Sequence, residues 1–330
     1  MVVRLLVCLF ILVCGRSLSK QDAKMVINFY QPYVQFGSIQ FLDGKKNQTA
    51  LTFDLFVPIW QQDLEDLIFA DLRLNDYCGT SSFVGSMNLG YRHLFVDSKQ
   101  LLGVYSAFDR KRTVVGNYFQ QVTLGGEFWF TNWFAGMNIY LPVGGTAKVF
   151  GEQHRIDSYG YDNYRDIWLT KSYFSEKAMA GVDVTVGYEF KAGLLGYLGG
   201  YYFGANDVAA ICGPKARLTY EWNLDNTSGI DQVGLEVGVQ KDRSRGTFWY
   251  VGANVRLGWA SMSKSLLPGV ARHMLDPVRR NADVVVHVTT NITREKFIIM
   301  TVRNQRELSQ ALTRDDLDFI DIQHRFAQAF

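Results

Sequence analysis

From Ile27 to Ala260 hydrophobic and polar residues alternate with a period of two, in runs of about ten to thirteen residues, which is the pattern of β-strands rather than helices. In the cleanest run, Trp249, Val251, Ala253, Val255, Leu257 and Trp259 form one face, and Tyr250, Gly252, Asn254, Arg256 and Gly258 the other. The same division sets Val182, Val184, Val186, Tyr188 and Phe190 against Asp183, Thr185, Gly187 and Glu189. The pattern predicts twelve strands: Ile27–Phe41, Gln48–Trp60, Glu65–Leu74, Ser82–Phe95, Gln100–Asp109, Asn117–Phe130, Asn132–Val143, Ala178–Phe190, Gly193–Phe203, Cys212–Asn223, Asp231–Lys241 and Thr247–Ala260. Proline agrees in part, because an interior strand tolerates a missing N–H poorly: Pro58, Pro142 and Pro214 fall near predicted strand ends, and Pro32 sits awkwardly early in the first strand.

Alternation alone does not say which face meets a core, but size does. Twelve strands tilted by about 40° close to a backbone diameter of roughly 24 Å, too wide for the side chains of one face to fill. A polar lumen with apolar residues facing lipid follows, and the strand lengths match the roughly 9–11 tilted residues that cross a hydrocarbon layer. Trp60, Tyr91, Phe95, Phe130, Trp133, Tyr140, Phe190, Trp222 and Trp259 stand at strand ends, where interfacial aromatic girdles lie. The fold class is therefore all-β, an antiparallel transmembrane β-barrel of the outer-membrane kind. By parity the odd-numbered connections face outside. The longest, Gly144 to Lys177, is one of these, and so are the basic runs Arg110-Lys111-Arg112 and Lys241-Asp242-Arg243-Ser244-Arg245.

Composition narrows the function classes. A net charge of +2 from 34 basic and 32 acidic residues gives no nucleic-acid-binding surface. Residues 1–19 read as a cleaved signal peptide: Arg4, the apolar run Leu5–Val13 and the small-x-small end Ser17-Leu18-Ser19. After cleavage two cysteines remain, Cys78 and Cys212, without metal-ligand spacing; a disulfide between them is permitted in an oxidising compartment, but the reading preferred is free or buried thiols. No metal or cofactor is expected. The five histidines, His93, His154, His273, His287 and His324, form no nucleophile–base pattern, and His93 falls at the inner rim, away from where a membrane hydrolase would place its pair. No catalytic residues are assigned, and the chain does not read as an enzyme.

The runs Gly90-Tyr91-Arg92-His93-Leu94-Phe95, Leu101-Leu102-Gly103-Val104-Tyr105-Ser106-Ala107-Phe108-Asp109, Leu124-Gly125-Gly126-Glu127-Phe128-Trp129 and Tyr140-Leu141-Pro142, in that order, resemble the β-domain of inverse autotransporters, the intimin and invasin group. The resemblance covers about residues 27–260. It implies a twelve-stranded outer-membrane barrel that exports its own C-terminal passenger through the lumen, often for adhesion. The implied partners are outer-membrane lipid, the barrel-assembly machinery and a host or surface receptor. The chain departs from the pattern in its short lead-in to the first strand and in having only about 70 residues after the barrel, without Ig-like repeats. A passive porin-like channel is the alternative.

The expected organisation is a signal peptide at 1–19, a translocator barrel at 20–260, a basic linker through the lumen at 261–280, and a short passenger-like tail at 281–330. The polar face carries Asp54, Asp71, Glu127, Asp183, Glu189, Glu221 and Glu236 against Arg73, Arg92, Arg217 and Arg256, so the expected lumen is acidic. The linker carries Lys264, Arg272, Arg279 and Arg280 against Asp276. Coulomb attraction would hold it in the channel as a plug. In the tail, Asp283–Thr289, Lys296–Val302 and Leu317–Ile322 read as strands and Gln305–Leu312 as a helix, an order that resembles the opening of a right-handed β-helix passenger.

Overall fold

A sheet in hydrocarbon can leave no unpaired edge, because its free N–H and C=O groups would find no water. The computed structural model obeys this constraint. It describes residues 30–42, 48–161, 164–224, 230–243, 246–258, 267 and 269–300, with the side chains of 157–167 and 297–300 left undescribed. The barrel is built from β1 (Tyr33–Leu42), β2 (Gln48–Gln62), β3 (Asp66–Tyr77), β4 (Phe83–Phe95), β5 (Gln100–Arg112), β6 (Tyr118–Phe130) and β7 (Trp133–Val143). It continues, after an inserted hairpin of β8 (Ala147–Tyr161) and β9 (Tyr164–Ala178), through β10 (Ala180–Lys191), β11 (Leu194–Ala205), β12 (Val208–Asn223), β13 (Ile230–Asp242) and β14 (Gly246–Gly258). Every barrel pairing is antiparallel between neighbours, β7 pairs with β10 across the insertion, and β1 pairs with β14 from Tyr33↔Gly258 to Leu42↔Trp249, closing twelve strands.

Alternation decides the two faces. Leu102, Val104, Phe108, Leu124, Val184, Leu198 and Val251 project outward and are exposed, whereas their neighbours Leu101, Tyr105, Asp109, Thr123 and Asp183 are buried inside. Trp60, Tyr91, Phe95, Phe130, Trp133, Phe190 and Trp222 lie on the exposed face. Tyr140 does not: it is fully buried inside the barrel, where its hydroxyl donates to Asp183 Oδ2 at 2.6 Å. Trp259 lies outside the described residues. Pro32 precedes β1, which removes its conflict with a strand, and Pro58 sits within β2 where the β2–β3 register shifts. Pro214 lies inside β12 but before its ladder with β13, which starts at Lys215↔Gln240, so no donor is missed on that side.

One end of the barrel has tight connections, such as Thr131-Asn132 and Ala192-Gly193; the other carries the β8–β9 hairpin. At the turn end Asn132 Nδ2 donates to Glu189 O (2.9 Å) and Glu189 N to Asn132 O (2.8 Å), tying two hairpins together. The long connection expected at Gly144–Lys177 is thus itself a hairpin of two 15-residue strands. The tail adds β15 (Val286–Met300), which pairs antiparallel with β9 from Val286↔Ala178 to Met300↔Tyr164. Where two tail strands are expected, at Asp283–Thr289 and Lys296–Val302, the described residues form one continuous strand from Val286 to Met300, because β9 offers a ladder of that length. The tail residues 301–330 and the signal segment lie outside the described residues.

The interior is less polar than size alone suggests. Tyr33, Phe56, Phe69, Leu101, Tyr105, Trp129, Phe134, Leu195 and Tyr197 form an apolar cluster inside the turn-end half, because a segment of the chain itself fills that half and buries them. Inward glycines make room for these rings: a Cβ on Gly125 would lie 2.3 Å from the Tyr105 ring and 2.5 Å from Asn138 Oδ1. Gly125→Leu is expected to destabilise the barrel by about 1–3 kcal/mol through overpacking. The urea midpoint of detergent-refolded protein should fall, and an unchanged midpoint would contradict this packing.

Candidate functional site: the occupied lumen

Beyond β14 the chain turns back into its own barrel. Leu267 and a 3₁₀ helix, Gly269–Leu275, lie at the turn end, with Leu267, Val270, Met274, Leu275 and Val278 buried against Phe69, Leu101, Trp129, Leu195 and the other rings of the apolar cluster. Tyr30, just before β1, joins this cluster and is held by its hydroxyl donating to Leu64 O at 2.7 Å. The segment then runs to the hairpin end. There Lys111 Nζ meets Asp283 at 2.8 Å and Val284 O at 3.0 Å, and Met179 N donates to Val285 O at 2.9 Å, just before β15 begins. The chain therefore crosses the lumen from one end to the other. Its helical start departs from the irregular linker expected from Pro268 and Pro277; Pro277 follows the helix, and Gly269 starts it at φ 53°.

The crossing segment is gripped by charge and by backbone contacts. Arg280 is fully buried: both its terminal nitrogens bond Asp109 at 2.7 and 2.8 Å, Nη2 also donates to Ser86 Oγ at 2.6 Å, and Nε to Asn88 Oδ1 at 2.7 Å. Such a bidentate, desolvated pair is among the strong charge-assisted contacts. Arg92, also fully buried, works from the wall: Nε donates to Glu127 at 2.6 Å, and Nη1 to the carbonyls of Met274 and Asp276 at 2.7 Å each. Arg272 pairs with Glu189, and Arg279 with Asp276 at 3.0 Å and Glu221 at 3.8 Å, its guanidinium lying 4.7 Å from the Tyr197 ring centroid. His273 stacks on Trp129 at 3.6 Å with Nδ1 2.9 Å from Asp276 Oδ2. Arg73 bridges Asp54 (2.8 Å) and Asp71 (3.0 Å) and donates to Val278 O at 3.2 Å.

Other predicted lumen residues are held by the wall. Asp183 is held by Asn138 (3.0 Å), Tyr140 and Lys215 (3.3 Å). Arg217 stacks 4.6 Å over Tyr197, Arg256 stacks 3.9 Å over Tyr33, and Glu236 lies beside Gly252. These three line a cavity of about 580 Å³ that remains between the segment and the wall of β1–β3 and β10–β14. Sequence reasoning missed Asp109 and Lys111. The alternation of β5 runs on to Arg112, so Asp109 and Lys111 point inward from a stretch read as strand end and loop, while Arg110 and Arg112 point outward. Continuing the period of two would have found both. Outside the barrel, His154 Nε2 lies 2.6 Å from Glu152 Oε1 on β8, and this hydrogen bond holds the Glu152 carboxyl below the usual carboxylate range.

A model of the inverse autotransporter β-domain matches residues 20–192, just over half of the chain. The chain belongs to this family. Its barrel is a bacterial outer-membrane barrel and contacts membrane lipid. Among solved structures, one from work on in-meso crystallization of membrane proteins is similar over 78% of this chain and 100% of its own, at 15% identity and TM-score 0.53, and shares the fold. The outer membrane phospholipase A of Escherichia coli (11% identity, 72% and 94% covered, TM-score 0.38) and an outer membrane channel from Pseudomonas putida F1 (9%, 73% and 100%, TM-score 0.42) are more distant matches. No curated protein matches the chain. Several residues of the runs that resemble the family grip the lumen segment in this inverse autotransporter barrel: Arg92, Asp109 and Trp129 contact it directly, Glu127 holds Arg92, and Tyr140 accepts a hydrogen bond from Asn281 N at 2.9 Å. Cys78 and Cys212 are free and exposed.

Removing one member of a buried ion pair strands the other, at a cost of about 3–5 kcal/mol. Arg280→Glu is therefore expected to lower the urea midpoint sharply, and the swap Arg280→Glu with Asp109→Arg to recover part of the loss. Independent, additive effects in that cycle would contradict direct pairing.

Proposed function

We propose that this barrel is a translocator and anchor that carries its own C-terminal segment from the turn end, facing the periplasm, to the hairpin end, facing outside. The observation that carries the reading is the path of the chain: residues 267–285 traverse the lumen, and the strand that follows is paired with β9 beyond the hairpin-end rim. After export the same residues close the pore. Arg272, Arg279 and Arg280 neutralise Glu189, Glu221 and Asp109, charges that would otherwise need water in a low-dielectric channel. In the proposed organisation residues 1–19 are removed as a signal, 20–260 form the translocator, 261–280 the linker and 281–330 a short passenger. The barrel-assembly machinery would insert it, and the exported tail would meet a host or surface receptor in adhesion.

The reading is non-enzymatic. An aspartate–histidine pair of the type a hydrolase uses does occur, with His93 Nδ1 2.7 Å from Asp66 Oδ1 on adjacent strands. A hydrolase would need a serine hydroxyl on the other ring nitrogen, and among the described residues the His93 ring meets Asp66 and Phe95 and no serine; the pair also lies at the turn end. Cells carrying the full chain with a C-terminal epitope provide the test. Protease added outside intact cells should remove the epitope, whereas an epitope fully protected until the outer membrane is permeabilised would favour a porin-like channel with a periplasmic tail.

A further inference from the structure

Arg110 and Arg112 project from the hairpin end of β5 toward the membrane side, and among the described residues neither pairs with a carboxylate. The Arg110 guanidinium carbon lies 4.8 Å from the centroid of the Tyr118 ring, and that of Arg112 stands 6.0 Å from the same ring. The register aligns Arg112 with Phe83 on β4 and Tyr118 on β6, and Arg110 with Gly85. The acid in this row is Asp76, opposite Phe83 on β3 and so two strands from Arg112, with no ion pair between them. Beneath the two cations is a groove lined by Phe83, Gly85, Met87, Phe108, Arg110 and Tyr118. It exists because Gly85 leaves a gap between Phe83 and Met87 on the outward face of β4. Both of these side chains and Phe108 are exposed, at 37%, 54% and 44%.

The groove therefore joins an apolar floor, at the depth of the lipid-facing belt, to a pair of guanidiniums at its rim. A hydrocarbon chain satisfies the floor, and an oxyanion in fixed connection with that chain satisfies the rim. Guanidinium groups match phosphate geometry by bidentate hydrogen bonding, and the Tyr118 ring holds Arg110 in place for it. We propose that this face is a binding site for a phosphorylated acyl lipid, with its phosphate between Arg110 and Arg112 and one acyl chain in the gap at Gly85. The leaflet concerned rests on the sidedness proposed above, but binding in detergent does not depend on it.

Purified full-length protein in detergent would be titrated with bis-phosphorylated lipid A and followed by native mass spectrometry. The wild type should retain one lipid, and Arg110→Gln with Arg112→Gln should weaken binding at least tenfold. Gly85→Leu should weaken it comparably with both cations intact. A Cβ there meets only Leu74 Cδ2, at 3.5 Å, so the variant is expected to fold, and the heat-modifiable gel shift verifies this for each variant. Dephosphorylated lipid A and inorganic phosphate should each bind much more weakly than the intact lipid. Equal retention by the double variant, or by Gly85→Leu, would overturn the proposal. So would equal binding of the dephosphorylated lipid, or saturation by inorganic phosphate alone.

Discussion

Asp109 is buried inside a membrane barrel, and a carboxylate in that position must have a cation. Arg280 supplies it from 171 residues further along the chain, with no solvent exposure on either side chain. This pairing constrains much of the rest. For Arg280 to reach Asp109, the chain must leave β14 at the turn end, re-enter the lumen and climb toward the hairpin end. On the way it presents Met274 and Asp276 carbonyls to Arg92 and a helical apolar face to the aromatic cluster. The lumen wall and the segment inside it complement each other in charge and in shape, and neither would be satisfied alone.

The same logic explains why the inner face divides into zones, with a polar band between the turn-end cluster and the smaller apolar clusters around Tyr140, Phe203 and Val285 and around Phe119 and Val284 at the hairpin end. Near the turn end, rings such as Phe69, Trp129 and Tyr197 pack on the 3₁₀ helix, and above them polar groups such as Ser86, Asn88 and Asn138 meet the segment's backbone and its arginines. The segment is bonded to Arg92 and Asp109 on one side and to Glu189 and Glu221 on another, and the cavity beside it is lined from β1–β3 and β10–β14, where Arg217, Glu236 and Arg256 reside. Beyond the rim, β15 continues the sheet begun by β8 and β9, so the emerging chain is held by backbone hydrogen bonds as soon as it leaves the barrel.

The barrel itself was legible in the sequence. Trp249, Val251 and Leu257 against Asn254 and Arg256 is a period that only a strand satisfies, and twelve such strands leave few architectures. What alternation could not supply was partners. Parity puts Glu127 and Arg92 on one face, but their contact depends on the register of β4, β5 and β6, and that of Arg280 with Asp109 depends on the path of a segment without periodicity. The β8–β9 hairpin hid for a related reason: its residues alternate weakly, because both faces of that sheet meet solvent for much of their length, as exposed Val149, Phe150, Val288 and Ile292 indicate. Tyr140 was misread as a girdle residue because position near a strand end was weighed above parity; its phenol serves Asp183 and Asn281 inside.

The central claim is that the chain closes its own pore electrostatically, and the conductance of single barrels in a planar bilayer reads this most directly. Wild-type protein should be closed or nearly so. Arg279→Glu with Arg280→Glu should open long-lived conducting states, as the segment is repelled from Glu221 and Asp109. Conductance equal to that of the wild type, in protein verified to be folded, would contradict the account.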